Sequence, residues 1–355
     1  MNQPQWETLL AVVRGGRVDP LPVGFIIDSP WLPNWAGMSI LDYFTSERLW
    51  LEANCRAIDR FPEAMFLPGF WSEFGMCTEP SAFGARPVWY ENEFPYAEPV
   101  LGGTDEIADL ARPDPSRHGL PPLVLKRLVH ARPTIEEAGH AIRFAVARGP
   151  MNIAAFLMGN TEFLVAMKIE PDRVHALLGK VTDFLVAWLR LQAATFETIE
   201  GIFLLDDIVG FVGEGDFQAF AKPYLEKAFG AFEAKVRFFH NDAQGRVCAP
   251  HLAEVGVNLF NFSCDHSLAE MKDWTRGEVA LVGNIPPRDV LAAGTPDDVR
   301  AAVAAALEGL SDTSRLVLSC GGGVPPGVPT ENIEAFIAAA QARDPGKADE
   351  PRRGG

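Results

Sequence analysis

Residues 236–262 read VRFFHNDAQGRVCAPHLAEVGVNLFNF, and the alternation inside this stretch decides the fold. Residues 236–240 (VRFFH) and 257–262 (VNLFNF) are short apolar runs rich in strand formers, and a more polar segment separates them. Apolar residues on both faces are what a buried parallel strand requires. Working outward, the same unit recurs at 24–28 (GFIID), 64–68 (AMFLP), 142–148 (IRFAVAR), 201–206 (GIFLLD), 279–283 (VALVG) and 316–319 (LVLS), each run followed by a helical segment. Several of these helices carry start signals. Thr295-Pro296-Asp297-Asp298 offers an N-cap, a proline at the first position and acids in the first turn, and Gly309 is the expected stop. Pro171-Asp172 and Thr330-Glu331 precede amphipathic stretches in the same way. Eight runs alternating with helices predict an α/β protein, a single (β/α)8 TIM barrel with an N-terminal extension, and the 355 residues fit that fold with insertions.

Two segments depart from the alternation. Residues 75–140 form a long insertion after the second strand, with a Pro/Gly-rich piece at 112–122 and helical patterns at 123–130 and 134–141. Residues 343–355 are polar and read as a disordered tail, leaving 1–342 as the barrel.

Composition bounds the function. Lys+Arg number 31 against 47 Asp+Glu, a net charge of −16, which opposes binding to nucleic acid or an anionic membrane. The 5 cysteines are irregularly spaced without a CxxC, as expected of reduced thiols. The first residues show no basic region of a secretory signal. The most apolar stretch, 151–169, is broken by Asn152, Asn160, Glu162 and Lys168. These features predict a cytoplasmic protein. Neither GxxxxGK[ST] nor GxGxxG after a strand occurs.

A barrel of this kind works at the C-terminal ends of its strands. Polar residues there are Asp28, Ser72, Glu73, Asn152, Asp206, Asp207, His240, Asn241, Asp242, Cys264, Asp265, His266, Asn284 and Cys320. His240 and Asp242, two apart, share one side of an extended strand end, and Cys320 could add a soft ligand from the last strand. Together they form a possible zinc site. Equally, His-x-Asp can be a plain hydrogen-bonded pair, and Cys320 a small buried side chain. Of Asp206 and Asp207, one must face the mouth or a loop turn, so both are candidate catalytic acids beside Asp242. Asn152 and Asn284 are candidate substrate contacts. Trp31, Trp35 and Trp71 follow the first two strands and could wall a pocket, or could be packing.

The C-terminal half carries a series of short motifs. They are His240-Asn241-Asp242-Ala243-Gln244, residues 251–257 (HLAEVGV), Gly283-Asn284-Ile285-Pro286-Pro287, and Ser319-Cys320-Gly321-Gly322-Gly323 followed by 325–333 (PPGVPTENI). With Gly149-Pro150-Met151-Asn152 and Lys222-Pro223-Tyr224, their order and spacing resemble the uroporphyrinogen decarboxylase superfamily. The resemblance covers about 142–340 and implies a TIM barrel with one of two chemistries. One branch decarboxylates uroporphyrinogen without a cofactor, using an arginine-bearing segment after the first strand. Here that place reads Ser29-Pro30-Trp31-Leu32-Pro33-Asn34-Trp35, without arginine, and Phe66-Leu67-Pro68 stands where the catalytic acid is expected. The other branch moves methyl groups to or from a corrinoid (cobalamin), with zinc on a His-x-Cys pair and a distant Cys. His240 and Cys320 match two of those positions, and Asp242 replaces the third.

The resemblance therefore implies a corrinoid-linked methyltransferase acting on a small methyl donor or acceptor. Zinc would sit on His240, Asp242 and Cys320, and the corrinoid on a partner protein. A metal-free decarboxylase or lyase is the second reading, and a corrinoid- or tetrapyrrole-binding module without turnover the third. The sequence leaves the oligomeric state open.

Overall fold

The computed structural model describes residues 1–27, 30–308 and 310–342. Asp28, Gly309 and the tail at 343–355 thus lie outside the described residues. All eight runs become strands: β1 Val23–Ile26, β2 Ala64–Leu67, β3 Phe144–Arg148, β4 Gly201–Leu205, β5 Val236–Asn241, β6 Leu259–Phe262, β7 Ala280–Ile285 and β8 Leu316–Cys320. They form one parallel sheet in the order β2-β1-β8-β7-β6-β5-β4-β3, so each strand except β2 neighbours its successor and β8 pairs back onto β1. The result is a curled α/β sheet of the TIM-barrel type.

Alternation along each strand sorts the core into two layers. Phe203, Leu205, Phe238, Leu259, Val282 and Val317 point into the barrel. Their neighbours Ile202, Leu204, Phe239, Phe260, Leu281, Leu316 and Leu318 pack against the surrounding helices. The N-terminal extension is the helix Gln3–Val13, started by an Asn2/Gln5 capping box. It turns Trp6, Leu9 and Val12 into the inner layer, where Trp6 meets the edge of Phe144 at 5.5 Å.

The sheet has one seam, between β2 and β3, where its two ends share no ladder among the described residues. Side chains satisfy the β3 edge instead. Gln192 accepts from the Val146 N–H and donates to the Val146 carbonyl, both at 3.0 Å, and Glu79 Oε1 accepts from the Arg148 N–H at 3.3 Å. The insertion at 75–140 lies at this seam. It contains a two-stranded ribbon, Pro87–Val88 with Tyr96–Ala97, and one long helix, Pro121–Glu137. The two helical patterns at 123–130 and 134–141 are joined in this one helix, which runs unbroken through Pro133 and ends at Glu137. Its apolar face, Val124, Leu128, Ala131 and Ile135, is buried against the core, and this packing outweighs the lost proline N–H. No helix among the described residues is long and apolar enough to cross a membrane. The apolar stretch 151–169 is two helices, Pro150–Met158 and Asn160–Ile169, parted at Gly159.

Candidate functional site

The strand alternation that sorts the core also chooses which polar groups meet at the mouth. On β4, Phe203 and Leu205 point inward, so Asp207 continues the inward row and Asp206 the outward one. On β5, Val236 and Phe238 point inward, which puts His240 and Asp242 on the same side. Ligand atoms of Asp207, His240 and Asp242 lie within 4.8 Å of one another. His240 Nε2 stands 3.6 Å from Asp207 Oδ1 and 3.9 Å from Asp242 Oδ2. Asp207 is half-buried and Asp242 exposed at the rim, whereas His240 is only 5 % exposed. Its crowded surroundings raise the Asp242 pKa, opposed by His240 and reinforced by Asp207.

The imidazole is held from behind. Asn261, inward on β6, donates through Nδ2 to the carbonyls of Val282 (2.8 Å) and Cys320 (3.3 Å). Its Oδ1 must therefore be the acceptor, and it takes the Nδ1 proton of His240 at 2.7 Å. In the neutral ring this leaves the Nε2 lone pair aimed between the two carboxylates. Nε2 makes no hydrogen bond among the described residues. Asn261 was missed by reasoning that looked only just beyond the strand ends. The signal was present, since Asn261 interrupts an apolar run and shares the parity of the inward Leu259.

Asp206, the other acid of the pair, is fully buried and does a different job. It accepts from the Met151 and Asn152 N–H groups, both at 2.9 Å, at the start of the helix Pro150–Met158. Burial pushes its pKa well up, and these two amides pull the other way. Gly149 permits the contact: a Cβ there would fall 2.3 Å from Asp206 Oδ2. Asn152 is likewise engaged with backbone, donating to Leu205 O and accepting from Ile208 N at 3.0 Å, and so braces the turn that carries Asp207.

Cys320 is not brought into the group. It shares its parity with Leu316 and Leu318 on the helix-facing side of β8, and its Sγ donates to Gly322 O at 3.4 Å. Ser319, its neighbour, takes the inward position, with a buried hydroxyl that has no hydrogen-bond partner among the described residues. The glycine run passes directly against Asp242: a Cβ on Gly322, whose φ is 98°, would lie 3.1 Å from Asp242 Oδ2.

Asn284 is inward on β7, and its Nδ2 donates to the His266 carbonyl. Trp31 is 1 % exposed, stacks on Trp35 at 5.2 Å and donates to Val328 O. Trp35 donates to Thr330 Oγ1 and lies under Arg56. Both belong to the layer between sheet and helices. Trp71 alone of the three is in the barrel interior, edge-on to Phe203 at 6.0 Å. At the seam, Glu73 pairs with Arg148 at 2.6 Å, and burial drives the Glu79 pKa up to about 7 against the opposing Arg148 charge.

The family model for uroporphyrinogen decarboxylase (URO-D) matches residues 4–343. The uroporphyrinogen decarboxylase of Methylobacillus flagellatus is 25% identical over 325 residues, covering 86% of each chain. That of Xylella fastidiosa is 24% identical over 365 residues, covering 94% of this chain and 98% of its own. Among solved structures, a methyltransferase from Methanosarcina mazei superposes with a TM-score of 0.78 at 21% identity, covering 94% of this chain and 96% of its own. A B12-independent methionine synthase from Shewanella sp. W3-18-1 gives 0.58 at 13% identity, covering 89% and 96%. These likenesses establish the fold.

Proposed function

The chain belongs to the uroporphyrinogen decarboxylase family, a family of enzymes, and within it we propose a methyltransferase that moves a methyl group between a corrinoid and a small-molecule donor or acceptor. One observation carries this reading: His240 is oriented from behind so that its Nε2 lone pair meets Asp242 at the mouth. A buried imidazole fixed in this way is built to hold an electrophile. The arginine-free segment 29–35 supports it, because a substrate with many carboxylates needs cationic partners that this chain does not place there.

A divalent cation on His240 and Asp242, zinc or another, would supply Lewis acidity, and a corrinoid on a partner protein would supply the methyl-carrying cobalt. The chain's own contribution is positional. Asn261 accepts from Nδ1, so that in the neutral ring Nε2 is the nitrogen that carries the lone pair. Trp71, Phe203 and Phe238 form an apolar floor that keeps water from beneath the site. In the donor direction the carbon–heteroatom bond would break with its electron pair going to the heteroatom, which would take a proton from water, and a reduced corrinoid held on a partner would supply the pair for the new bond to carbon.

The deciding experiment mixes the purified full chain with cob(I)alamin and a panel of methoxy and methylamine donors, then with methylcob(III)alamin and acceptors. A metal-dependent change of the corrinoid spectrum matching methyl transferred is the expected outcome. Carbon dioxide release from a carboxylated substrate, persisting in chelator and without corrinoid, would establish the decarboxylase instead. A spectral shift with no transfer to any acceptor would mark a binding module.

A further inference from the structure

We infer that the cation site of this chain is an oxygen-rich one, completed by Asp207 in place of a cysteine, and that it selects a substrate presenting an oxygen rather than a thiol. The inference deepens the methyltransferase reading and rests on it for the substrate, while the ligand set stands on geometry alone.

The resemblance implies two thiolates and one imidazole. Neither thiolate position fits. Asp242 occupies the first, and Cys320 lies on the helix-facing side of β8, outside the group whose ligand atoms converge. The converging third group is Asp207, brought inward by the same alternation that turns Asp206 outward. The spacing suits an ion. Ligands about 2.1 Å from a metal at tetrahedral angles stand roughly 3.4 Å apart. His240 Nε2 is 3.6 Å and 3.9 Å from the two carboxylates, beyond the usual hydrogen-bond length and short of independence.

The imidazole of the group is itself buried and oriented by a partner outside the group. A side chain more than nine-tenths buried presents a nitrogen lone pair, with its other nitrogen already spent on Asn261, toward two negative groups. At 3.6 Å and 3.9 Å no hydrogen bond joins Nε2 to either carboxylate, whereas one divalent ion can be ligated by all three groups.

The ligand types then set the preference. Thiolates select soft ions and make an electron-rich site suited to activating a thiol. Two carboxylates and an imidazole make a harder site that admits manganese, iron, cobalt and zinc and favours oxygen as the next ligand. Among methyl compounds this points to methyl ethers and alcohols.

The test uses the full chain, stripped by chelator and titrated with Co2+ alone, followed by visible and near-ultraviolet absorption. The expected result is one equivalent bound, with a weak ligand-field band and no thiolate-to-cobalt charge transfer. C320S should give a superimposable spectrum. D207N, which keeps an oxygen for the Asp242 N–H, should bind tenfold or more weakly while retaining the wild-type circular dichroism. A charge-transfer band lost in C320S would overturn the ligand set, as would folded wild-type protein that binds no Co2+. Metal bound as expected with no methyl transfer would sink the reaction and leave the site. Transfer confined to thiols would overturn the oxygen preference.

Discussion

The Asn261 Oδ1 lies 2.7 Å from His240 Nδ1, and the same amide donates to two backbone carbonyls, Val282 and Cys320. The sheet itself therefore fixes the amide, and the amide fixes the imidazole tautomer. Removing this partner should matter more for ion binding than for folding. Asn261→Ala is expected to weaken cation affinity 10–100-fold, the range typical of groups that orient metal-ligating histidines. It should cost about 1–3 kcal/mol of stability, because two buried carbonyls lose a donor. Co2+ titration beside urea unfolding reads both effects. Unchanged affinity in a folded variant would show that Asn261 does not orient the site.

Gly149 and Asp206 form a structural pair that the acidic doublet disguises. A methyl group on Gly149 would sit 2.3 Å from Asp206 Oδ2, so Gly149→Ala must displace the carboxylate that holds the start of the helix Pro150–Met158. A loss of roughly 2–4 kcal/mol is expected, as for other changes that strain a buried polar network. Asp206→Asn should also destabilise, by about 1–3 kcal/mol, since one of its two acceptor oxygens becomes a donor facing an N–H. Thermal unfolding would check both. Asp206→Asn that unfolds like wild type but binds no cation would reverse the roles assigned to Asp206 and Asp207.

Period and parity explain what could be read from the chain. The eight strands were legible because buried parallel strands must be apolar on both faces, and each run in the sequence coincides with a strand to within about two residues. His240 and Asp242 were legible as a pair for the same reason. Cys320 follows the last strand, but following a strand does not say which way a side chain faces. Val317 points inward, so Cys320, three residues on, points outward. Trp31 and Trp35 were ambiguous for another reason: a tryptophan can wall a pocket or fill a core, and only their bonds to Val328 and Thr330 show the packing. The seam and its side-chain pairing were not legible at all, since nothing local distinguishes a strand whose edge is met by Gln192.

Glu79 makes stability depend on pH. Burial raises its pKa from the ordinary 4.5 to about 7 in the folded protein. The folded state then holds the proton more tightly than the unfolded chain, so stability should fall as pH rises from about 4.5 to about 7 and level off above. The contribution is on the order of a few kcal/mol. Glu79→Gln keeps an oxygen for the Arg148 N–H and removes the titration. The variant should lose less stability than wild type between pH 5 and pH 8. Parallel unfolding curves for the two proteins across that range would assign the dependence elsewhere.

The tryptophans separate packing from site. Trp31 is 1 % exposed and its ring stacks on Trp35 in the layer outside the sheet, so Trp31→Ala should cost about 3–5 kcal/mol by cavity formation. Trp35 is half-buried, and Trp35→Ala should cost less, through the lost bond to Thr330 and the lost Arg56 contact. Neither change reaches the inward residues, so cation affinity should stay within about threefold of wild type wherever the protein is folded. Trp71 lies in the inner layer edge-on to Phe203, whose ring is 6.4 Å from that of His240. Trp71→Leu lets Phe203 relax toward the gap and loosens the floor under the imidazole. It should therefore lower cation affinity by at least fivefold, about 1 kcal/mol, with a stability loss smaller than that of Trp31→Ala. The comparison is made by Co2+ titration and urea unfolding on the same three variants. Equal cation affinities in all three would remove Trp71 from the site and return it to the core.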